Sequence, residues 1–331
     1  MKKITIFLFA AMLAVLAACG SDSASKDKID KIVFADAGWD SIRVHNSIAQ
    51  KIIEEGFGYK TDVTSGSTAA TIQGLRRGDI NVYMEIWTDN IKEVYDEAIK
   101  KGDIKKVSTN FDDNDQGLYV PTYVIKGDKD RGIKPMAPDL KTVADLKKYP
   151  DVFKDPEDSG RGRIINGPSG WEVEKAITEK FKTYGLDETM NNFIPGSDSA
   201  AVADLKKAYE SGKPWVGYYW SPTWVTAKYD LTLLEEAPFD EKKWNKDKST
   251  AFPPNDVVVA VNKDMEKQAP EVVAFLKKYE TSNDLTEEAL NYMKEKDASA
   301  EEAAVWWMKK HEDLWGSWVK DDVAKKVKDA L

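Results

Sequence analysis

The chain has 331 residues, of which 42% are hydrophobic and 32% charged, so it is long enough for one large domain or two lobes with a sizeable core. Its formal net charge of −9 argues against nucleic acid as a partner. Two histidines and a single cysteine argue against a zinc site of the usual kind, and a single cysteine rules out an internal disulfide. We therefore expect no metal, no cofactor and no enzymatic activity; a glycosidase-like pair of carboxylates is the alternative left open.

The N-terminus has the pattern of a secretory signal. Lys2 and Lys3 precede an apolar run, residues 4–18, which is short for a membrane span and fits the apolar core of a signal peptide. The run ends in Leu16-Ala17-Ala18-Cys19, which resembles the bacterial lipoprotein box, where cleavage before the cysteine leaves it lipidated. We predict a signal peptide over residues 1–18 and a lipidated, flexible tether over residues 19–30, attached through Cys19.

Processing at that point fixes the compartment and the charge of the mature chain. Loss of Lys2 and Lys3 leaves 46 basic and 57 acidic residues, a net charge of −11. We expect an extracytoplasmic protein anchored to the outer face of the cytoplasmic membrane, or on its periplasmic side if the cell has an outer membrane.

Beyond the tether, strand-like and helix-like segments alternate. In chain order we predict strands at residues 31–35, 59–63 and 80–86, with helices over 41–55, 68–77 (closed by Gly78) and 90–101 (stopped by Gly102). A second set follows: a capping box from Thr142 to Asp145, strands at 162–166, 214–220 and 256–262, and helices over 170–184 and 198–210, the latter capped by Ser197 or Asp198. The tail is helical over 270–279, 285–296 and from Ser299, which has Glu302 three residues on. Such alternation is typical of an α/β protein with mostly parallel sheets, and two lobes are the economical arrangement.

Three of the eleven tryptophans lie where a predicted strand ends: Trp39, Trp87 and Trp220. Ligands of open α/β sheets bind outside the carboxyl ends of the strands, so we expect these indoles to converge there. An aromatic box attracts a cation that donates no hydrogen bonds, such as a quaternary ammonium ion. The tryptophans near the C-terminus, at 306, 307, 315 and 318, have the spacing of packing residues; Trp215 is predicted inside a buried strand and Trp244 in a polar loop.

A second anchor for a ligand is predicted at Gly170 and Trp171. The stretch INGPSGWEVEKAI, residues 165–177, reads as strand, tight turn and helix, which directs backbone N–H groups and the helix dipole at an anion. A ligand with a quaternary ammonium at one end and a carboxylate at the other would use both features. The alternative is that Ser169 merely caps this helix.

These stretches resemble the substrate-binding proteins of ABC importers for glycine betaine and related osmolytes. The resemblance rests on GWDS (38–41), RRGDINVYMEIW (76–87), GLYVPTY (117–123), GPSGW (167–171) and GSDSAAVADLKKAYESGKPWVGYYWSPTW (196–224), which occur in one order over nearly the whole mature chain. It implies a two-lobed periplasmic-binding-protein fold of type II that closes over its ligand, and an ABC permease as partner. By the resemblance, Trp39, Trp87 and Trp220 box the trimethylammonium group, and the amides of Gly170 and Trp171 hold the carboxylate. We divide the lobes as residues 31–123 with 252–331 and residues 124–251.

Two departures leave the ligand open. Many members of the family have a proline two residues after the second cage tryptophan, and some have a nearby histidine; here Trp87 is followed by Thr88-Asp89-Asn90-Ile91. Glu85 and Asp89 add negative charge beside the cage if they face it, which suits a cation without a carboxylate. A branch of the family associated with trimethylamine N-oxide has similar MEIW strands and an insertion like residues 127–140. Glycine betaine is the first expectation, trimethylamine N-oxide, choline and carnitine are alternatives, and a sugar-binding surface lipoprotein is the alternative of another class.

Overall fold

The computed structural model describes residues 29–331, so the predicted signal peptide, Cys19 and most of the predicted tether lie outside the described residues. Within residues 29–331, the helices are all too short or too polar to span a bilayer. The described residues form two five-stranded sheets surrounded by helices.

The strands are numbered in chain order. They are β1 (Lys31–Asp36), β2 (Lys60–Ser65), β3 (Val82–Trp87), β4 (Ile104–Phe111), β5 (Asp115–Pro121), β6 (Gly162–Ile165), β7 (Met190–Phe193), β8 (Gly217–Ser221), β9 (Leu231–Leu233) and β10 (Val257–Asn262). The α-helices up to residue 228 are α1 (Asp40–Lys51), α2 (Thr68–Arg77), α3 (Lys92–Lys101), α4 (Thr122–Lys126), α5 (Glu172–Thr183), α6 (Asp198–Glu210) and α7 (Trp224–Lys228). Those after residue 228 are α8 (Glu241–Asp247), α9 (Met265–Gln268), α10 (Pro270–Leu276), α11 (Asn283–Lys296), α12 (Ala300–Lys310), α13 (Glu312–Gly316) and α14 (Asp321–Ala330).

Local sequence signals account for many of these ends. The capping box predicted at Thr142 is present and opens a short 3₁₀ helix, Val143–Lys148, and the one predicted at Ser299 and Glu302 opens α12. Ser197 caps α6 by accepting a hydrogen bond from the N–H of Ala200. Gly78 ends α2 in the left-handed conformation that glycine adopts without steric cost.

Other ends differ from the sequence-based expectation. The helix predicted over 41–55 stays α-helical only to Lys51 and continues as a π-helical turn, Ile52–Phe57. Trp215 lies ahead of β8 rather than inside a strand, although it is buried as predicted. Trp244 lies in α8 and not in a polar loop. Its side chain is buried because its ring packs against that of Phe252, with the centroids 5.1 Å apart.

The first sheet has the order β2-β1-β3-β10-β4. β1 pairs in parallel with both β2 and β3, whereas β10 runs antiparallel between β3 and β4. β3 and β10 are buried along their whole length, which explains their near-continuous apolar sequences. Helices α1, α11 and α12 pack on one another and α1 packs on β3, while α14 packs on the π-helical turn Ile52–Phe57, so the C-terminal helices belong to the first lobe.

The second sheet has the order β7-β6-β8-β5-β9. β6 pairs in parallel with β7 and β8, and β5 pairs antiparallel with β8 and β9. The chain therefore crosses between the sheets twice, between Phe111 and Asp115 and again ahead of Val257. The first crossing comes before β5, about ten residues earlier than the boundary expected at residue 123, because Asp115–Pro121 pairs within the second sheet.

Candidate functional site

Four indoles surround one cavity between the two sheets. Trp39 and Trp87 come from the first sheet and its connections, and Trp171 and Trp220 from the second. The cavity volume is about 40 Å³, and the remaining lining residues are Thr68, Tyr83, Ile86, Asn90, Ile91, Glu172, Val173 and Tyr218. None of these twelve lining residues, all within the described range, carries a basic side chain. The three tryptophans expected to converge are thus brought together, and a fourth joins them.

Trp39 is positioned by the turn that leads from β1 into α1. Gly38 has a φ of +104°, and its N–H donates to the Asp36 carboxylate at 2.8 Å, which reverses the chain at the end of the strand. Trp39 then takes the extended backbone of an N-cap residue, with its indole against the cavity. Trp39 is 6% exposed, so its indole is buried although the next residue is Asp40, and it packs against the ring of Trp171.

Trp87 and Trp220 belong to the strands themselves. Trp87 is the last residue of β3, and Trp220 is the last but one of β8. Both therefore lie within the end of a strand and not just past it. Trp220 is stacked on Tyr219 with ring centroids 4.8 Å apart, and the Tyr218 ring lies 6.0 Å from it. These neighbours fix the Trp220 ring at the wall of the cavity.

Trp171 places its side chain between the two lobes. Its indole meets Trp39 edge-on at 5.3 Å and Trp220 edge-on at 5.1 Å. Gly170, at a φ of +88°, makes the turn before it, and a Cβ added there would lie 3.3 Å from the Cβ of Ser67 in the other lobe. From the sequence, Trp171 was expected to contribute only its backbone N–H, although this residue follows a strand and a turn just as Trp39 does.

The predicted carboxylate anchor is only partly available in this structure. The amide N–H of Trp171 donates to the carbonyl of Pro168 at 3.1 Å, so this donor is engaged within the turn. Trp171 itself, not Ser169, is the N-cap residue of α5, and no side chain caps the helix. Glu172 at the first helical position lines the cavity and pairs with Lys175 at 2.8 Å, so the positive end of the helix dipole already has a carboxylate beside it.

Glu85 lies behind the indoles and holds two of them. Its Oε1 accepts hydrogen bonds from Trp39 Nε1 at 2.8 Å, Trp87 Nε1 at 3.0 Å and Ser41 Oγ at 3.0 Å. Burial raises the pKa of this carboxyl group to about 7, and the three donated hydrogen bonds oppose the rise. The sequence predicted Glu85 only as negative charge beside the cage. Its hydrogen bond to Trp39 could not be foreseen, because it joins residues 46 positions apart.

Asp89 does not face the aromatic cavity. It lines an adjoining groove of about 530 Å³ between α2 and α3 of one lobe and α5 and α8 of the other. Its N–H donates to the Asn255 side chain at 2.9 Å, and burial raises the pKa of its carboxyl group. The groove and the cavity share Asn90, Ile91, Glu172 and Val173, so the two spaces adjoin.

A polar contact crosses between the lobes beside the cavity. Gln116 Nε2 of β5 donates to Asn90 Oδ1 at 3.1 Å, and Tyr218 OH donates to Gln116 Oε1 at 3.0 Å. Because Asn90 lies in the first lobe and the other two in the second, this network ties the lobes in the arrangement seen here. The sequence predicted no contact for these residues, although Tyr218 lies in the stretch 196–224 that carries the family resemblance.

Comparison with known families gives a match over most of the chain. The family model described as "Substrate binding domain of ABC-type glycine betaine transport system" matches residues 30–310. A trimethylamine N-oxide-binding protein of Pelagibacter ubique is 24% identical over 97% of this chain and 100% of its own length. A glycine betaine-binding periplasmic protein of Dickeya dadantii is 28% identical over 39% of this chain and 43% of its own.

Solved structures share the fold. A choline-binding protein of an ABC transporter, in complex with choline, superimposes with a TM-score of 0.73 at 21% identity, covering 91% of this chain and 98% of that one. A lactococcal protein in its closed, liganded conformation with glycine betaine gives a TM-score of 0.70 at 20% identity, covering 88% of this chain and 100% of that one. These likenesses confirm the two-lobed type II fold.

Proposed function

Because the chain belongs to the family of substrate-binding domains of ABC-type glycine betaine transport systems, we propose that it captures a trimethylammonium solute in the cavity walled by Trp39, Trp87, Trp171 and Trp220 and delivers it to the permease of an importer. The observation that carries the proposal is the convergence of four indoles from both lobes on one cavity without a basic side chain among its described lining residues. The amides near Gly170 form the second contact for a ligand that carries an anion.

The chemistry of the cavity suits a fixed cation. A trimethylammonium group donates no hydrogen bonds, so it loses none when aromatic rings replace the water around it. Its methyl groups gain contact area with the rings. Each desolvated ring contributes on the order of 1–2 kcal/mol of cation–π attraction. Micromolar affinity corresponds to about 8 kcal/mol, so four rings supply most of it and a further contact supplies the rest.

Glycine betaine is the first candidate, and choline or trimethylamine N-oxide the second. The family favours glycine betaine, whose carboxylate would lie near the start of α5. The second candidate is favoured by the local charges, since Glu172 lines the cavity, Glu85 lies behind it, and the N–H of Trp171 is already engaged. These features disfavour binding of an anionic group near the cavity, whereas they do not disfavour a cationic group.

The test is a tryptophan-fluorescence titration against glycine betaine, choline, trimethylamine N-oxide, carnitine and, as controls, glucose and maltose. We expect saturable binding of at least one trimethylammonium compound and none of the sugars. Because the family description names glycine betaine, we expect glycine betaine to bind most tightly. If choline or trimethylamine N-oxide binds most tightly, the second candidate is the ligand. Binding of a sugar alone would refute the proposal.

We also propose that the receptor is held outside the cytoplasm by a lipid anchor at Cys19, beside the permease. The N-terminal sequence, which resembles a lipoprotein box ending at Cys19, supports this proposal. The family supports an extracytoplasmic site of capture.

A further inference from the structure

Glu85 is a buried carboxyl group without a cationic partner. It is 0% exposed, and no ion pair within residues 29–331 includes it. Its Oε1 accepts three hydrogen bonds, whereas its Oε2 is buried and has no hydrogen-bond partner among the described residues. Burial without a cationic partner disfavours the ionised carboxylate, so the free protein keeps this proton to a higher pH than an exposed glutamate does.

The groups around Glu85 offer no charge to offset its own. They come from three elements: Tyr83 and Trp87 of β3, Trp39 and Ser41 at the start of α1, and Tyr279 after α10. Burial raises the pKa of both tyrosines well above the usual value, so both stay neutral. His45, which shares a hydrogen bond with Tyr279, has a pKa lowered to about 3 by burial and is neutral as well.

A ligand cation in the cavity would supply the missing charge. The indoles of Trp39 and Trp87 stand between Glu85 and the cavity, and both donate their N–H to the same carboxylate oxygen. The low dielectric of the buried site strengthens attraction between the two charges across the rings. Hydrogen bonds to an ionised acceptor are about twice as strong as neutral ones, so ionisation would also hold the two rings more firmly.

We propose that Glu85 is the internal counterion of the aromatic cage, so that capture of a quaternary ammonium ion expels a proton from its carboxyl group to the solvent. The proposal rests on the proposed function and deepens it, because it makes Glu85 a positioning and selectivity residue that favours ligands with a net positive charge. Choline and tetramethylammonium, which carry no anion, would release the proton most completely. The carboxylate of glycine betaine would partly offset the effect.

Calorimetric titration with choline, tetramethylammonium and glycine betaine, from pH 6 to pH 8, tests the coupling. A group with a pKa of about 7 is ionised in roughly one molecule in ten at pH 6 and nine in ten at pH 8, so affinity for choline should rise about tenfold over that interval. Repeating the titration in two buffers of different ionisation enthalpy counts the released protons, about one half per ligand at pH 7. None of the three ligands titrates in this range, so the proton comes from the protein.

Glu85→Gln identifies the source of the proton. It keeps an acceptor oxygen for the two indoles, but it should abolish proton release and flatten the pH profile, with about tenfold weaker choline binding at pH 8. Asp198→Asn is the matched control, because Asp198 has the other carboxyl group of the described residues that combines an unpaired buried oxygen with a pKa raised to about 7, and it does not line the cavity. This variant should keep the wild-type pH profile.

Each outcome is decisive. Wild-type binding with no proton release, or a pH profile lost in Asp198→Asn and kept in Glu85→Gln, would overturn the inference and leave the proposed function standing. Failure of all three ligands to bind at any pH would instead refute the proposed function. If Glu85→Gln does not fold, as shown by its near-ultraviolet circular dichroism, Glu85→Asp replaces it; a retained carboxyl group should keep the proton release even though it binds more weakly.

Discussion

The four indoles of the cavity are held in place by protein contacts before any ligand arrives. Glu85 fixes Trp39 and Trp87 through their N–H groups, while Trp220 is stacked on Tyr219 and Trp171 lies edge-on between two other rings. Ordering such large side chains at the moment of binding would cost free energy, and here the fold has ordered them already. Loss of one ring should therefore remove affinity directly.

We expect Trp39→Ala, Trp87→Ala, Trp171→Ala and Trp220→Ala each to weaken binding of the best ligand by about tenfold or more. A tenfold loss corresponds to about 1.4 kcal/mol, within the range of one desolvated cation–π contact plus the lost packing of an indole. Fluorescence is altered by the substitution itself, so calorimetric dissociation constants are the measurement.

Trp306→Ala is the control for these variants. Trp306 is partly exposed on α12, where it stacks on Tyr292 at 4.4 Å, and it is not one of the residues that line the cavity. Its removal should leave affinity nearly unchanged. Wild-type affinity in both Trp39→Ala and Trp87→Ala would show that the ligand binds elsewhere.

Sequence reasoning found three of the four indoles because each lies where an apolar strand ends and polar turn residues begin. Trp171 satisfies the same condition, but its turn also has the pattern of a helix start. The sequence therefore predicted a role for its backbone N–H and none for its indole. For Glu85 the sequence predicts negative charge beside the cage only if its side chain faces the cage, and alternation along β3 shows no more than a face shared with Tyr83 and Trp87. Its hydrogen bond to Trp39 depends on how β1 and β3 pair.

The start of α5 governs how closely the lobes approach each other. Gly170→Ala would place a methyl group 3.3 Å from Ser67 of the other lobe and strain a residue whose φ is +88°. We expect roughly threefold to tenfold weaker ligand binding, because only the closed arrangement brings Ser67 into contact. Dissociation constants and thermal unfolding of the same samples give the measurement.

Gly102→Ala separates the two effects. Gly102 ends α3 at a φ of +71°, and a Cβ added there would meet nothing within 4 Å. It should lower stability by about 1 kcal/mol, as left-handed backbone costs for alanine, without changing affinity. Equal losses of affinity in both variants would mean that Gly170 acts through stability alone.

The elements with strong local signals were predictable, and those that depend on distant pairing were not. The apolar run of β10 and the caps at Ser197 and Ser299 are encoded within a few residues. β4 carries the mixed sequence IKKVSTNF and becomes a strand because β10, about 150 residues later in the chain, pairs with it. In the same way β5 joins the second sheet through β8 and β9, which moved the first crossing ahead of residue 115.

As a whole, the described chain is a two-lobed receptor, and its predicted lipid anchor precedes the described residues. We expect Cys19→Ala to release the protein from the membrane fraction without changing its ligand affinity, because the tether predicted over residues 19–30 ends before β1 begins at Lys31. Fractionation with immunodetection, together with titration of the released protein, measures both effects. Ala18→Gly, which keeps a small residue before Cys19, is the control and should stay in the membrane; continued membrane attachment of Cys19→Ala would exclude lipidation at this residue.

The edge-on contact of Trp171 with Trp39 also has an optical consequence. Neighbouring indoles couple their excited states, and the coupling appears in circular dichroism as paired bands of opposite sign. The pair of Trp171 and Trp220, 5.1 Å apart, lies within the second lobe, whereas the pair of Trp171 and Trp39, 5.3 Å apart, joins the two lobes. Separation of the lobes should therefore change the bands of the second pair and leave those of the first, so that circular dichroism would follow closure without an attached label.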